Sequence, residues 1–308
     1  MHLLRNPLRD PSAPTEHRDI GQIAANQTVD GLPVINRTKA MTSPFAEIIK
    51  TPTFSENSGA QTGYAIEIED DSAPHGYRLL GRVSERYLLM TNREIYDVAQ
   101  EVAEGSGLPW QPGRAFWDGA RFALTVDFGD EVSADVSTSG DGSDRVGLSL
   151  VFRSSYDQSW RFTAALMGRR FVCSNGMISG EYFGEVSFKH AHTSASESWQ
   201  AVVRDALRLV HRAPHDLAAF AGALRLLRGA QTSDRRLREV LALVPGLGDT
   251  LVGKVMRRYA EHEEATLFGL LNAGTNVLWH SPRQTAADWA HNDAFVTALV
   301  AYANERLN

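Results

Sequence analysis

The spacing of apolar residues changes at about residue 193, and this change restricts the possible folds more than any other feature. Before it, short segments alternate apolar and polar residues, as in residues 64–69, and Gly, Asp and Ser separate them. Such alternation is typical of half-buried strands, whereas the three- or four-residue spacing after residue 193 is typical of amphipathic helices. The sequence therefore predicts an α+β fold: a mainly antiparallel, curled sheet covered by helices, with a helical C-terminal part.

Individual elements follow from the same patterns. Strands are predicted over residues 64–69, 77–90, 120–128, 132–137, 145–154, 160–167 and 171–174. A helix is predicted over residues 91–103, because Thr91 and Glu94 have the spacing of a capping box. Further helices are predicted from residue 194, from Asp216 as an N-cap to Gly229, from Ser233 or Asp234, and over residues 249–261, 265–273 and 285–307.

These elements suggest three regions. Residues 1–57 are rich in Pro, Ser, Thr and Asn without sustained periodicity, so we expect a flexible N-terminal arm with one short ordered piece near residues 45–49. Residues 58–193 are predicted to form a strand-rich α+β core. Residues 194–308 are predicted to form a helical region packed on that core.

Composition narrows the class of protein. The 308 residues, 43% of them hydrophobic, can form one large domain or two smaller ones. No stretch has the apolar length of a membrane span, and residues 1–18 lack the apolar centre of a secretion signal. The single cysteine cannot form an internal disulfide. We therefore expect a cytoplasmic protein that does not associate with membranes.

Charge is distributed unevenly along the chain, whose net charge is -6. Residues 61–193 carry 12 Lys and Arg against 19 Asp and Glu, whereas residues 204–258 carry 11 basic and 5 acidic residues. A basic footprint over the whole chain, which nucleic-acid binding would favour, is absent. Any binding of nucleic acid must therefore be local.

The segment 244–255, Val-Pro-Gly-Leu-Gly-Asp-Thr-Leu-Val-Gly-Lys-Val, lies between two predicted helices and resembles a helix-hairpin-helix. In that motif, Gly246 and Gly248 would let backbone amides approach a phosphate, assisted by the dipole of the following helix. Lys254, Arg257 and Arg258 could continue the contact. The alternative is an ordinary tight turn, and Asp249 would repel a phosphate there.

Two further groups of residues have both a functional and a structural interpretation. Arg169 and Arg170, with the aromatic residues Tyr156, Trp160 and Phe171, could form a cationic stacking surface for single strands. The alternative is that the aromatic residues lie in the core and the arginines in solvent.

Cys173 could act as a nucleophile with His190 or His192 as base and Asn175 as orienting partner, but its apolar strand favours a buried, reduced thiol. His190 and His192 would face the same side of a strand, where Asp157, Glu181 or Glu185 could complete a metal site. Surface or hydrogen-bonding histidines are the simpler interpretation. No metal and no cofactor are therefore predicted.

Residues 169–177 read Arg-Arg-Phe-Val-Cys-Ser-Asn-Gly-Met. Together with residues 81–87, 155–159, 188–193 and 270–275, this tract resembles the DUF932 family, a phage- and plasmid-borne family of unknown function, whose signature is similar to residues 169–177. Gln158 departs from the glycine common in the tract of residues 155–159. The resemblance covers residues 77–302 and implies a mobile-element setting.

These observations lead to three functional hypotheses. The first is a non-enzymatic protein of DNA metabolism that binds single-stranded DNA in recombination or replication of a mobile element, with self-association into a homo-oligomer. The second is a metal-dependent nuclease that uses His190, His192 and acidic neighbours. The third is a protein-binding module, such as an inhibitor of a host defence system. The sequence contains no phosphate-binding loop, nucleophile elbow or zinc-protease helix, which argues against an ATP-driven motor or an esterase.

Overall fold

The computed structural model describes residues 27–29, 32–36, 43–137, 139–170, 176–178, 183–188, 195–280 and 286–307. The strands in these residues are β1 (Gln27–Val29), β2 (Leu32–Asn36), β3 (Ile48–Phe54), β4 (Gln61–Glu69), β5 (Tyr77–Val83), β6 (Trp110–Trp117), β7 (Arg121–Phe128), β8 (Ser133–Asp135), β9 (Arg145–Ser155), β10 (Phe162–Arg170), β11 (Gly176–Ile178) and β12 (Glu185–Phe188).

The strands form two sheets. The larger has the order β1-β2-β6-β7-β9-β10-β11, with β8 paired to β9 and β12 paired to β10. The smaller has the order β3-β4-β5. The only parallel pair among the described strands is β2 with β6. The prediction of a mainly antiparallel sheet is therefore confirmed.

The helices in the described residues are α1 (Asn92–Gly105), α2 (Ala195–Gly229), α3 (Asp234–Leu241), α4 (Asp249–His262), α5 (Leu267–Trp279) and α6 (Ala286–Arg306). The predicted capping box of α1 is present: Glu94 N donates to Thr91 Oγ1, and the Thr91 amide donates to the Glu94 carboxylate. The Ser233 side chain caps α3 by accepting a hydrogen bond from the amide of Arg236. No helix in the described part of the chain is long and apolar enough to cross a membrane.

Both faces of the larger sheet pack against helices. The main core contains Phe152, Phe162 and Leu166 together with the buried sides of α1, α2, α5 and α6. The opposite face carries a smaller cluster in which Trp160 and Met167 meet Trp289 of α6. Because side chains alternate along a strand, consecutive residues of β9 and β10 serve different clusters. The prediction of an α+β fold with a helical C-terminal part is confirmed.

One helix boundary was predicted wrongly. The sequence predicts that a helix starts at Asp216, but α2 continues without interruption from residue 195 to residue 229 and includes Pro214. Ala213, Leu217 and Phe220 are buried on either side of the proline, so the apolar stripe that packs on the sheet continues through it. Asp216 instead accepts a hydrogen bond from Arg212 Nε, at 2.8 Å.

Strand β6 has no counterpart among the predicted elements. Pro112 and Gly113 lie within it, and a register shift between Pro112 and Ala115 accommodates them. A Cβ on Gly113 would lie 2.1 Å from Thr125 Oγ1, and that hydroxyl accepts from the amide of Arg114. The irregularity that obscured the strand in the sequence is therefore a bulge that a side chain of β7 stabilises.

The predicted arm of residues 1–57 includes a strand of the smaller sheet. Strand β3 pairs with β4 from Ile48 to Phe54, and Ile48 is buried. The ring of Phe45 packs against Tyr96 and Phe122, at centroid distances of 5.8 and 6.0 Å. Residues 45–54 therefore belong to the folded unit. Residues 1–26 of the predicted arm lie outside the described residues.

The two sheets meet where the tracts of residues 81–87 and 155–159 come into contact. A Cβ on Gly81 would lie 2.3 Å from the carbonyl oxygen of Tyr156. The Tyr156 hydroxyl donates to Asn92 Oδ1 (2.7 Å), and Asn92 Nδ2 donates to the carbonyl of Pro44 (2.6 Å). Tyr87 donates to the Ser155 carbonyl at 3.3 Å. Burial raises the pKa of Tyr87, and the nearby Asp157 raises it further, so this phenol stays a donor.

Gln158 is the one described non-glycine residue with a positive φ, 62°. This backbone conformation is one that glycine adopts most readily. Here the Gln158 side chain donates to the carbonyl of Arg82 at 2.6 Å, which adds a contact between the two sheets. The turn therefore forms without glycine.

Replacing Gly81 by Ala should strongly destabilise the protein. The new methyl group would collide with the backbone of Tyr156, and overpacking of this kind costs about 1–3 kcal/mol. Gly222→Ala is the matched control, because the space around Gly222 in α2 is open and alanine favours a helix by about 0.5–1 kcal/mol. Urea titration should show a lower free energy of unfolding for the first variant only. Equal stabilities of the two variants would contradict the described junction.

Candidate nucleic-acid interface

The predicted hairpin forms between α3 and α4. Gly246 has a φ of +73°, a conformation that favours glycine. Val244 is buried and Leu247 packs against the core, so they anchor the turn, whereas Pro245, Gly246 and Gly248 are exposed. A glycine-containing turn therefore connects the two helices, as both interpretations of this segment predict.

Helix α4 begins without a side-chain cap. Gly248 is its N-cap, and the Gly248 carbonyl accepts from the amides of Leu251 and Val252, at 2.9 and 3.0 Å. The positive end of the helix dipole therefore faces solvent beside exposed glycines. Asp249 in the first turn partly offsets this potential.

Lys254 and Arg257 extend the exposed side of α4. Val255 and Tyr259 are buried on the opposite side of the helix, and Lys254 and Arg257 are exposed. Residues three apart on a helix are neighbours, so these two cations lie close together. They stand one to two turns after the hairpin.

Most cationic side chains of residues 204–258 have a partner within the protein. Six of its eleven cationic side chains form ion pairs with carboxylates: Arg204, Arg208, Arg212, Arg228, Arg235 and Arg258. Three more donate to backbone carbonyls: Arg225, Arg236 and Arg238. Among the described residues, Lys254 and Arg257 are the two cations of this segment that have neither kind of partner.

His291 of α6 lies beside the hairpin. Its Nε2 is 3.3 Å from the position that a Cβ on Gly246 would occupy, and the residue is partly exposed. The turn therefore packs tightly against α6. An imidazole next to the glycine amides adds a polar group that an approaching phosphate would meet.

Arg258 differs from its neighbour Arg257. Its Nη2 lies 3.8 Å from Glu263 Oε1, and its side chain is only 26% exposed. Arg258 is thus directed toward the C-terminal end of α4. The structure separates it from the exposed pair with which the sequence grouped it.

Arg170 belongs to a buried ionic cluster. Its guanidinium donates to both oxygens of Asp144, at 2.9 Å from Nε and 2.6 Å from Nη2, and Arg228 donates to the same carboxylate. Both guanidinium carbons stand over the ring of Phe268, at 4.9 Å for Arg170 and 4.1 Å for Arg228. Burial opposes ionisation of Asp144, but the hydrogen bonds from the two arginines lower its pKa overall.

Glu263 joins this cluster to α4. Burial raises its pKa, while the charges of Arg258 and Arg170 and a hydrogen bond from Asn272 act in the opposite direction. The charges of Arg170 and Arg258 therefore both act on this carboxylate, although 88 positions separate the two arginines. Their common role in the structure is to balance buried charge.

Arg169 lies on the other face of β10. Its Nε is 3.5 Å from Asp127 Oδ2, and Ser149 Oγ donates to Asp127 Oδ1 at 2.6 Å. The aromatic partners that the sequence suggested, Tyr156 and Trp160, are both buried. The alternative interpretation of these two residues as core aromatics is therefore confirmed, and they cannot stack on a nucleic acid.

The residues proposed for a nuclease are only partly described. His190, His192, Cys173 and the neighbouring residues 171–175 and 179–182, which include Phe171, Asn175 and Glu181, lie outside the described residues. Of the proposed carboxylates, Asp157 pairs with Arg121 at 3.3 Å and Glu185 with Arg153 at 3.0 Å. Within the described part of the chain, no group of three His, Cys, Asp or Glu side chains could hold a metal ion.

Comparison with known proteins gives a family and no activity. A family model described as "Domain of unknown function (DUF932)" matches residues 79–300, which is more than two thirds of the chain. Neither a curated protein nor a solved structure matches the chain significantly. Function must therefore be argued from the residues themselves.

Replacing Glu263 by Gln should change how stability depends on pH. The Glu263 carboxyl has a higher pKa in the folded protein than its value of about 4.5 in the unfolded chain. It therefore contributes stability below pH 4.5, and this contribution is lost as pH rises through the folded pKa. The variant lacks this titration, so its melting temperature relative to the wild type should increase from pH 4.5 to pH 7. Glu305→Gln, at an exposed position of α6, is the control and should show no such trend. Parallel pH profiles for Glu263→Gln and the wild type would show that burial does not raise the pKa of Glu263.

Proposed function

We propose that this chain, which belongs to the DUF932 family of unknown function, is a non-enzymatic, cytoplasmic DNA-metabolism protein that binds single-stranded DNA. In this proposal it acts in recombination or replication of a phage, plasmid or other mobile element, as a homo-oligomer and without a cofactor. The observation that carries the proposal is the exposed pair Lys254 and Arg257 beside the glycine hairpin. Among the described residues, these are the cations of the basic segment that have neither a carboxylate nor a backbone carbonyl as partner.

The hairpin and the start of α4 are better suited to binding the phosphate backbone than to recognising a base sequence. Exposed glycine amides and an uncapped helix start can donate to phosphate oxygens, and the two cations can neutralise neighbouring phosphates. None of these groups has the arrangement of a base-reading side chain in a groove. Binding should therefore depend little on sequence and strongly on salt.

The acidity of the remaining protein limits how DNA can approach. With a net charge of -6, the protein as a whole repels a polyanion, so in this proposal the contact is local, on the hairpin side of α4. A flexible single strand can touch a small cationic area without bringing further phosphates near the acidic sheet. A stiff duplex cannot do so as easily, which favours single-stranded DNA as the ligand.

The protein-binding alternative receives less support from the described residues. The exposed large apolar side chains are Phe54, Leu79 and Leu243. Phe54 and Leu79 pair with Gln61 and Glu67, at different places along β4. They therefore do not form one contiguous patch of the size that marks a protein interface.

Replacing both Lys254 and Arg257 by Gln should weaken binding of a fluorescent oligothymidylate and flatten its salt dependence. Each phosphate contact to a single strand contributes roughly 0.7 to the slope of log K against log salt, so the slope should fall by about 1.4. The matched control is Arg204→Gln with Arg208→Gln on α2, because both arginines are exposed and share Asp205 as a partner. This control should bind like the wild type.

An unchanged affinity and slope in a folded Lys254, Arg257 double variant would remove α4 from the interface. Parallel titrations with duplex DNA and with Mg²⁺ or Mn²⁺ separate the remaining hypotheses. Strand cleavage that requires the divalent metal would support the nuclease instead. Equal affinity for duplex and single strand at all salt concentrations would contradict the preference proposed for single strands.

A further inference from the structure

The smaller sheet has one buried face and one exposed face. Ile48, Ile66 and Ile68 are buried in the main core. Because side chains alternate along a strand, the residues between them point to the opposite side of the sheet. Leu79 of β5 lies on that side, opposite Glu67, and is 50% exposed. We call this side, with residues 47, 49, 67, 69, 77 and 79, the outer face.

The first cross-strand row of the outer face is apolar at both ends. Ile49 of β3 and Leu79 of β5 both lie opposite Glu67 of the central strand β4. Ile49 and Glu67 are half-buried. Side chains directly opposite one another on the same face of a sheet are close enough to interact. The row therefore presents an aliphatic side chain on each side of a carboxylate.

The second row is acidic. Tyr77 of β5 lies opposite Glu69, and the Glu69 amide donates to the carbonyl of Glu47 at 2.9 Å, just before β3. The Tyr77 hydroxyl donates to Glu47 Oε2 at 2.9 Å. This hydrogen bond raises the pKa of Tyr77, and partial burial and the negative charges of Glu47, Glu69 and Glu67 raise it further. Three carboxylates of two neighbouring rows therefore act on one phenol.

The packing of the sheet does not require this concentration of negative charge. Like charges opposite one another on a sheet are destabilising. Two nearby cations have other partners, since Lys50 donates to two backbone carbonyls and Arg78 pairs with Asp70. The next row contributes Arg82, which forms no ion pair with the glutamates of the outer face among the described residues. The outer face therefore retains carboxylates without a cationic partner, at a cost to folding stability.

We propose that the outer face docks a basic segment of another polypeptide. Lys or Arg side chains of that segment pair with Glu47, Glu67 and Glu69, and one of its apolar side chains packs on Leu79 and Ile49. The negative charge selects a cationic partner. The aliphatic row favours a polypeptide over a small polyamine, because a polyamine has no side chain to pack there. This inference does not rest on the DNA binding proposed above, since the same negative charge repels DNA.

The edge of the smaller sheet indicates how the segment lies. Strand β3 is an edge strand, and Pro52 lies within it. A proline on an edge strand hinders the pairing of a further strand. The segment therefore lies across the outer face and does not extend the sheet. Because the contact is small and largely ionic, its affinity is low and falls as salt rises.

The first test measures binding of a fluorescein-labelled peptide, Lys-Lys-Leu-Lys-Ser-Lys, to the full chain by fluorescence anisotropy. Replacing the three glutamates of the outer face by Gln should lower the affinity about tenfold, as expected for the loss of three exposed ion pairs. The matched control replaces Glu101, Glu104 and Glu305 by Gln, since these exposed residues lie on α1 and α6 and their loss changes the net charge equally. The control should bind like the wild type. Equal losses in both triple variants, or no binding to the wild type, would overturn the proposal.

The second test examines the apolar row. Leu79→Ser should lower the affinity for this peptide severalfold, but not the affinity for a peptide in which serine replaces the leucine. Leu243→Ser, at a similarly exposed leucine after α3, is the control and should change neither affinity. Spermine is the competing ligand. If spermine binds as tightly as the leucine peptide and Leu79→Ser has no effect, the face binds small cations and the proposed polypeptide partner is wrong.

Melting temperatures and the DNA probe complete the test. The outer-face triple variant should melt at a higher temperature than the control triple variant, because it removes like charges that lie opposite one another. A lower melting temperature would show that these carboxylates stabilise the fold, and would contradict the proposal. Replacing Lys254 and Arg257 by Gln should leave peptide binding unchanged, and the outer-face variant should still bind oligothymidylate. Peptide binding without DNA binding would therefore refute only the proposed function, and DNA binding without peptide binding only the docking face.

Discussion

The bridge from Asp144 to Arg170 and Arg228 is the interaction on which the arrangement of sheet and helices depends. It connects the residue before β9, the last residue of β10 and the last turn of α2, and both guanidinium groups rest on Phe268 of α5. Removing the shared carboxylate would leave two largely buried guanidinium groups without this partner, and breaking a buried ion pair costs about 3–5 kcal/mol. Four elements are therefore fixed relative to one another by charges that cannot be separated independently.

The position of Arg170 in this bridge is also the reason why Arg169 and Arg170 of β10 lie in different environments. Arg170 faces the helices and balances Asp144 and Glu263, whereas Arg169 faces the other side of the sheet and meets Asp127. The alternation of side chains along a strand makes the division unavoidable. Two adjacent arginines in a sequence thus suggest one cationic surface, but on a strand they contribute to two separate sites.

Local patterns were sufficient to predict most of the fold. The capping residues Thr91 and Ser233 act within one turn of chain, and the apolar stripe of α2 has a regular period, so both are readable without tertiary contacts. The glycine hairpin at Gly246 was predictable for the same reason. Strand β6 was not, because its bulge depends on Thr125 of the neighbouring strand, and the restart predicted at Asp216 failed because packing on the sheet outweighs one proline.

Local sequence patterns could predict only part of the candidate site, because exposure and charge pairing depend on tertiary structure. In the sequence, nothing distinguishes Arg258 from Lys254 and Arg257. In the structure, however, Arg258 forms an ion pair with Glu263. No local sequence pattern indicates which residues Asp144, Phe268 and Trp110 contact across the fold. Counting basic residues therefore overstated the cationic surface.

The small number of cations without a partner in residues 204–258 sets a limit on how the proposed surface can hold a strand. Two phosphate contacts give a modest attraction that physiological salt weakens further. Useful occupancy then requires a contribution that salt does not screen, such as stacking of a base, or several copies bound along one strand so that each raises the effective concentration for the next. Self-association is therefore more than an accessory to the proposed function: with only two such cations on the proposed surface of each chain, it is a direct means by which binding of DNA could become strong and yet remain independent of sequence.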